Sequence, residues 1–306
     1  MNWLVKVTAF KLLSIAPGGS ALYRMIQERF TGSLVPTQER LRQKIDIGVL
    51  YAKWLSENGR ADLLKGAYLD FGAGWHPTIP FLFYSMGVER LFLLDVASRL
   101  NEELILGTLR VFREIVTAAD WPSKDMLSRL PDPPSDPATP WPKMLNGYGM
   151  SYIAPYAGNL EKLNGSIDLV TSTQVLLHIG RDGLRHCFRD IHRALKPGGI
   201  FFATIHLKDL WADTDRRLSR YNHLRYSPWL WENVINSPLM PFNRLRGPDY
   251  RELLEEAGFK IRHFELEPPT DADMRLLAET RVHPCFQKYS PRDLAEKHLF
   301  FAAEKV

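Results

Sequence analysis

Residues Ala67–Pro77 read AYLDFGAGWHP. Ala67 to Phe71 have the apolar and aromatic character of a buried strand, and the chain then turns through glycine at 72 and 74. Neither glycine carries a Cβ, so bare backbone can approach a ligand there and adopt dihedrals closed to other residues. Pro77 suits the first turn of a helix, where its missing N–H costs nothing. A strand that ends in G-x-G and opens a helix is a generic nucleotide-binding signal, and the rest of the chain decides which nucleotide.

Downstream, strands and helices alternate. A short helix is expected at Thr78 to Met86, stopped by Gly87, then a second strand at Leu91 to Leu94 with Asp95 at its carboxyl end. Asp95 follows Gly74 by about 20 residues, the spacing of an acid that accepts hydrogen bonds from ribose hydroxyls at a crevice beyond the strand ends. An amphipathic helix covers Asn101 to Ala119, and seven prolines between Trp121 and Pro142 mark a loop-like insertion, 120–148, with a lid as its alternative role. Strands follow at Met150 to Ile153, Ile167 to Ser172, Ile200 to His206, Phe259 to Leu266 and Leu299 to Ala303. Helices are expected at Arg181 to Leu195, stopped by Lys196-Pro197-Gly198-Gly199, at Pro248 to Gly258, and around Asp273 to Glu279 and Pro291 to Glu296. This alternation predicts a mainly parallel, doubly wound α/β sheet, with the last two strands too close for a full crossover and hence an antiparallel addition.

The first 65 residues read as a helical extension, with apolar positions at Leu22, Met25 and Ile26 and again at Leu41, Ile45, Val49 and Ala52. Its start, MNWLVKVTAFKLLSIAPGG, is interrupted by Lys6 and Lys11 and is far shorter than the roughly 20 apolar residues of a membrane span. A helix packed on the domain is expected, with a membrane-surface helix as the alternative. In 306 residues with 45% hydrophobic content a large core can form, and a formal charge of +4 spread along the chain gives little support to nucleic-acid binding. Cys187 and Cys285 have no metal-ligand or disulfide-scaffold spacing, which predicts a reduced, cytoplasmic setting and no structural metal.

Two readings compete for the glycine turn. A dinucleotide fingerprint wants a small third residue for tight helix packing beneath a pyrophosphate. Here that position is Pro77, preceded by Trp75 and His76, which favours a ligand without a pyrophosphate. LDFGAGWHP, LLDV, GNL, IDLVTSTQVLLHI, LKPGG and YRELLEEAGF, in that order, make Ala67 to Val306 resemble a class I S-adenosylmethionine-dependent methyltransferase of the small-molecule type. The resemblance implies a Rossmann-like seven-stranded sheet of order 3-2-1-4-5-7-6 with strand 7 antiparallel, residues 66–306 as the methyltransferase domain, and S-adenosylmethionine as cofactor.

Carried over by position, the resemblance implies that Asp70, Phe71, Gly72, Ala73 and Gly74 contact the methionine part of the cofactor. Asp95 and the adjoining Val96 would serve the ribose side. Asn159, where the family more often has Asp, would meet the adenine amino group through its side-chain carbonyl, with the Leu160 N–H at the ring. Ser172, Thr173 and Gln174 would line the methyl-transfer site. Bland alternatives exist for these residues, since Asp70 and Asp95 also suit turn or helix capping.

Methyl transfer needs a base only when the acceptor must lose a proton, and His178 and His206 are the candidates, with local turn stabilisation as the other role of His178. Segment 207–246 resembles the acceptor-site insertion of methyltransferases acting on polysaccharide and natural-product intermediates. Its Asp209, Asp213, Asp215, Tyr221, Asn222, Arg225, Asn243 and Arg246 are the expected acceptor pocket, or a solvated cap held by Arg–Asp pairs. O-methylation of a sugar or natural product is therefore expected of a monomer or homodimer. N- or C-methylation, RNA methylation by a basic track at Arg216, Arg217, Arg220 and Arg225, and a noncatalytic cofactor-binding protein are the alternatives.

Overall fold

The computed structural model describes residues 3–16, 18, 34–118, 127–136 and 139–306. The helix expected at Leu22, Met25 and Ile26 lies outside these residues, as does part of the proline-rich insertion. In chain order the main elements are α1 (Trp3–Ile15), α2 (Gln38–Glu57), β1 (Ala67–Phe71), α3 (Thr78–Ser85), β2 (Arg90–Leu94), α4 (Glu102–Ala118), α5 (Trp141–Gly147), β3 (Met150–Ile153) and β4 (Ile167–Thr173). They continue with α6 (Arg181–Ala194), β5 (Leu195–His206), α7 (Gly247–Glu256), β6 (Phe259–Leu266), α8 (Asp271–Ala278), α9 (Pro291–Ala295) and β7 (His298–Lys305).

The seven strands form one sheet in the order β3-β2-β1-β4-β5-β7-β6. β3, β2, β1, β4 and β5 pair in parallel, whereas β7 is antiparallel to both β5 and β6. All five residues of β1 are buried, as expected of a parallel strand covered on both faces. Alternation sorts its side chains: Ala67, Leu69 and Phe71 join the core that contains Phe188, Tyr250 and Trp211, while Tyr68 joins the core that contains Tyr51, Phe81 and Phe112. Helices α6 and α7 thus cover one face, and α2, α3 and α4 the other.

That topology positions the site. The carboxyl ends of the parallel strands share one edge of the sheet, where open α/β folds bind ligands. Because β7 runs the other way, its first residue, His298, comes to the same edge, directly opposite His206 in the ladder.

Three local expectations are corrected. LKPGG does not separate α6 from the next strand: β5 begins at Leu195 and carries Gly198 within it at φ 79°. The end of the proline-rich insertion forms α5, because Pro142 sits in the first turn, where a missing N–H is tolerated. The described part of that insertion is no lid: Ser128 N–H donates to Ser85 O at 2.8 Å and Arg129 to Val88 O at 2.7 Å, tying it to the far end of α3, away from the cleft.

Helix α1 buries Trp3, which sits 6.3 Å ring to ring from Trp211, and its Phe10 sits 5.7 Å from the same indole. Among the described residues no helix is long and apolar enough to cross a membrane.

Candidate functional site

A cavity of about 1420 Å³ opens along the carboxyl edge of the sheet, from β2 across β1, β4 and β5 to β7. At its β2 end lies the glycine turn. Gly72 and Ala73 both donate their N–H to Leu94 O at 2.9 Å, which folds the turn back onto β2. Gly72 has φ +93°, and a Cβ there would overlap the Val175 side chain; Gly74 has φ +66°, and a Cβ there would meet only Gly72 O, at 3.9 Å. The sequence therefore needs glycine at 72 for both backbone and packing reasons, and at 74 the absent side chain leaves the backbone open to the cleft.

Asp95 faces this turn. Its Oδ2 accepts from the Gly74 N–H at 2.9 Å, and its Oδ1 accepts from the Ala97 N–H at 3.1 Å and from Arg99 Nε at 2.9 Å. A carboxylate has about four acceptor positions, so one stays open and another opens when Arg99 turns aside. The Arg99 side chain is a third exposed and its guanidinium lies 5.1 Å from the Trp75 ring. Asp95 therefore fits a ligand with neighbouring hydroxyls.

Asp70 is buried behind the turn, where Thr171 Oγ1 donates to it at 3.3 Å. Burial pushes its pKa up to about 6, opposed by the charge of Lys44 and assisted by that of Asp95. Lys44, on α2, is half-buried in the cleft wall; burial lowers its pKa, and its Nζ donates to His76 O at 3.3 Å. A cation in the wall with an acid just behind it, beside exposed backbone, fits a nucleoside that carries a charged amino-acid tail.

Lys44 escaped the sequence reading, which followed the buried stripe Leu41, Ile45 and Ala52. A second stripe at helical spacing, Arg40, Lys44 and Ile47, turns toward the cleft and could have shown it.

At the end of β4, Gln174 holds a positive φ of 57°, uncommon for a residue with a side chain. The backbone is held there by two bonds to β5: Gln174 N–H to Thr204 O at 2.9 Å, and His206 N–H to Gln174 Oε1 at 2.8 Å. Such strain persists only where surroundings enforce it, and it marks functional sites. Tyr51 of α2 closes the same corner, its hydroxyl 3.2 Å from Thr173 Oγ1 and 3.3 Å from Thr204 Oγ1.

His206 forms the far floor. Its Nδ1 lies 2.9 Å from Nδ1 of His298, with the rings nearly perpendicular at 70°. His298 Nε2 lies 3.5 Å from Glu267 Oε2, and Lys297 holds the other Glu267 oxygen at 2.9 Å. Burial, then the neighbouring His298 and Lys208, push the His206 pKa down to about 4. The three side chains do not form a metal site: among the described residues no group of His, Cys, Asp and Glu has that geometry. His298 was missed because the last strand was expected to start at Leu299, one residue late, and Glu267 because it lies just past the end of β6 and meets His298 only through the β6–β7 pairing. An antiparallel final strand necessarily brings its first residue to the ligand edge, so the topology contained the clue.

Of the residues expected at the donor end, Phe71, Gly72, Gly74, Asp95, Val96, Thr173 and Gln174 line the cleft, and Asp70 and Ala73 lie buried just behind it. Ser172 does not reach it: the residue is fully buried and its hydroxyl donates to Phe71 O at 3.0 Å. Asn159 is exposed and its Oδ1 accepts from the Glu161 N–H at 2.6 Å, while Leu160 packs in the core. Tyr156 and Ile179 line that side of the cleft instead.

The expected acceptor pocket is corrected more heavily, because most of its polar residues are spent within the insertion or on the backbone packed against it. Arg246 is fully buried and donates to the backbone oxygens of Leu207, Asp293, Leu294 and Glu296. Asp209 caps the Leu210–Asp213 turn and accepts from Asn222 at 3.0 Å, and burial raises its pKa to about 6. Tyr221 donates to Ala295 O at 2.8 Å. Asp213 pairs with Lys208 at 2.8 Å; Asp215 pairs with Arg217 at 2.8 Å, which holds its carboxyl far below the usual range. Arg225 is exposed, outside the cleft lining.

Asn243 donates to Leu176 O at 3.0 Å and Ile179 O at 2.7 Å, and His178 Nδ1 lies 2.5 Å from Pro241 O. Both residues lash the insertion to the turn after β4, and only His178 also lines the cleft. Half of the basic track is spent similarly, with Arg217 on Asp215 and Arg220 on Asp273 at 3.1 Å, while Arg216 and Arg225 are exposed.

No curated protein matches this sequence. Among solved structures, a methyltransferase from Methanosarcina mazei is similar at 15% identity and TM-score 0.44, covering 79% of this chain and 93% of its own. Another from Mesorhizobium loti is similar at 18% identity and TM-score 0.40, covering 83% of this chain and 97% of its own. The family described as a methyltransferase domain matches residues 39–263, a stretch that holds the glycine turn, Asp95 and His206. With the sheet order seen here, the chain belongs to the class I S-adenosylmethionine-dependent methyltransferases.

Proposed function

We propose that this chain methylates a hydroxyl group of a small-molecule acceptor, with His206 as the base. When bound, S-adenosylmethionine supplies a methyl group made electrophilic by the sulfonium to which it is attached. The protein's share is positioning and proton removal. Asp95 would accept the ribose hydroxyls in exchange for its bond to Arg99, with Val96 beside it and Tyr156 and Ile179, which line the cleft where Asn159 and Leu160 do not, toward the adenine. Gly72 and Gly74 would let backbone meet the methionine part, and Asp70 and Lys44 would offer its amino and carboxylate groups opposite charges. Residues 66–306 would carry the catalysis, and the extension 1–65 would contribute the cleft wall through α2.

The carrying observation is the 2.9 Å contact between the Nδ1 atoms of His206 and His298. Only one of those two atoms can carry the shared proton. With Glu267 accepting from His298 Nε2–H, the His298 Nδ1 is an acceptor and His206 Nδ1–H is the donor. That leaves the Nε2 lone pair of His206, which has no hydrogen-bond partner among the described residues, to take a proton from an acceptor hydroxyl. The positive charge then gained is shared with His298 and offset by Glu267, in the manner of a histidine backed by a carboxylate.

Transfer of labelled methyl from S-adenosylmethionine to a panel of hydroxylated acceptors tests this. His206→Ala is expected to lower kcat by about 100-fold or more with unchanged cofactor affinity. Full retention of rate across pH would remove the base, and transfer only to amines would remove the hydroxyl.

A further inference from the structure

We propose that the acceptor hydroxyl is carried on an apolar hydrocarbon body, such as a phenol or a long-chain alcohol, and not on a sugar; this rests on the methyl-transfer reading above. A ligand pocket for one drug-sized molecule measures roughly 300–1,000 Å³. The cleft here, about 1420 Å³, has room for a donor and a sizeable acceptor side by side. The walls of the half beyond the glycine turn decide which acceptor fits.

On one side α2 presents Ile47 and Leu50, three residues apart and so on one helical face. Across from it the insertion contributes Leu210, Leu239, Met240 and Pro241. Leu50 is 40% exposed, an apolar side chain in the cleft lining only partly covered by protein. The polar side chains Gln43 and Asp46 are exposed, where water serves them. The other polar side chains lining this half are Thr173, Thr204, Gln174, the His206–His298 pair, Glu267, which faces His298 and Lys297, His178, which is spent on Pro241 O, and the exposed Glu265.

A sugar offers many hydroxyls, and each one turned toward an apolar wall without a partner costs about 1–3 kcal/mol. The side chains that could have served them, Arg246, Asp209, Asn222 and Tyr221, are held inside the insertion by the bonds described above. A single reactive hydroxyl at His206, with hydrocarbon between Leu50 and Met240, leaves nothing polar unserved.

Isothermal calorimetry on the full chain loaded with S-adenosylhomocysteine tests this without turnover, using 4-ethylphenol, 4-butylphenol, 4-hexylphenol and methyl glucoside as probes. Affinity is expected to rise up to about fourfold per added methylene, the gain for complete burial of a CH₂, and methyl glucoside to bind more weakly than any phenol. Leu50→Asp and Leu239→Asp are each expected to weaken 4-hexylphenol about tenfold while leaving S-adenosylhomocysteine affinity unchanged; Leu50 is exposed enough for its variant to fold. Tighter binding of the glucoside, affinity independent of chain length, no binding of any phenol, or indifference to both substitutions would overturn the proposal while leaving methyl transfer standing. Failure of S-adenosylhomocysteine itself to bind would instead remove the methyl-transfer reading, and this proposal with it.

Discussion

The two halves of the cleft are built differently. The donor half, from Asp95 to Gln174, is made of residues at the ends of consecutive strands, fixed by backbone geometry: positive φ at Gly72 and Gly74, and a turn bonded onto Leu94. The acceptor half is assembled from α2, the insertion and the start of β7, segments far apart in sequence that meet only by packing. A backbone-built site leaves marks at fixed spacings, whereas a packing-built site leaves almost none. The same difference separates side chains that face a ligand from side chains that hold the wall.

The sharpest break of that distinction is Arg246. If it belongs to the wall, Arg246→Ala strands four backbone oxygens and lowers unfolding free energy by on the order of 3 kcal/mol or more, read by urea denaturation. Its folded fraction is expected to bind acceptor normally; a stable variant that lost only acceptor affinity would return Arg246 to the pocket.

Glu267→Gln sharpens the acceptor half. Burial lowers the pKa of both histidines; against it Glu267 and Asp213 raise both, while Lys208 lowers both and Lys297 lowers that of His298. Removing the Glu267 charge is expected to cut kcat about tenfold, on the order of 1.4 kcal/mol, and to move the acidic limb of the pH profile to lower pH. The rate falls as pH drops through that limb because the base must be neutral. An unshifted limb would reduce Glu267 to a structural partner of Lys297.

The smallest effect concerns the donor half. Asp70 is held up to about 6 by burial. In the ligand-free protein this favours the protonated acid, so its stabilising contribution is complete below about 4 and is lost as pH rises through 6. A cationic cofactor prefers the ionised form, so S-adenosylmethionine affinity is expected to rise several-fold between pH 5 and 7. Calorimetry across that range reads it, and a flat profile would separate Asp70 from the cofactor.

Legibility followed the same divide. The parallel sheet with its antiparallel end, the glycine turn and Asp95 could be read because strand ends and turns require particular residues at particular spacings, while the strand order came only with the family resemblance. Ser172 shows the limit of position-by-position transfer: its neighbour Thr173 faces the cleft, while a residue's shift along the strand turns Ser172 to the opposite face. In the insertion, polar and aromatic residues resembled a sugar pocket, yet Asp209, Asn222 and Arg246 point inward. Sequence does not distinguish a polar side chain that greets a ligand from one that satisfies buried backbone. His298 and Glu267 left no local mark for a related reason, since their role depends on the antiparallel register that sets His298 against His206, and only the topology pointed to it.

The central claim is that the β1 turn and Asp95 hold the donor independently of the acceptor half. Titrating S-adenosylmethionine into the native chain, Asp95→Ala and His206→Ala by calorimetry tests it most directly. Loss of charged hydrogen bonds worth about 1.5–3 kcal/mol each predicts that Asp95→Ala binds about 100-fold more weakly, with His206→Ala unchanged. Equal affinity for the native chain and Asp95→Ala would contradict it.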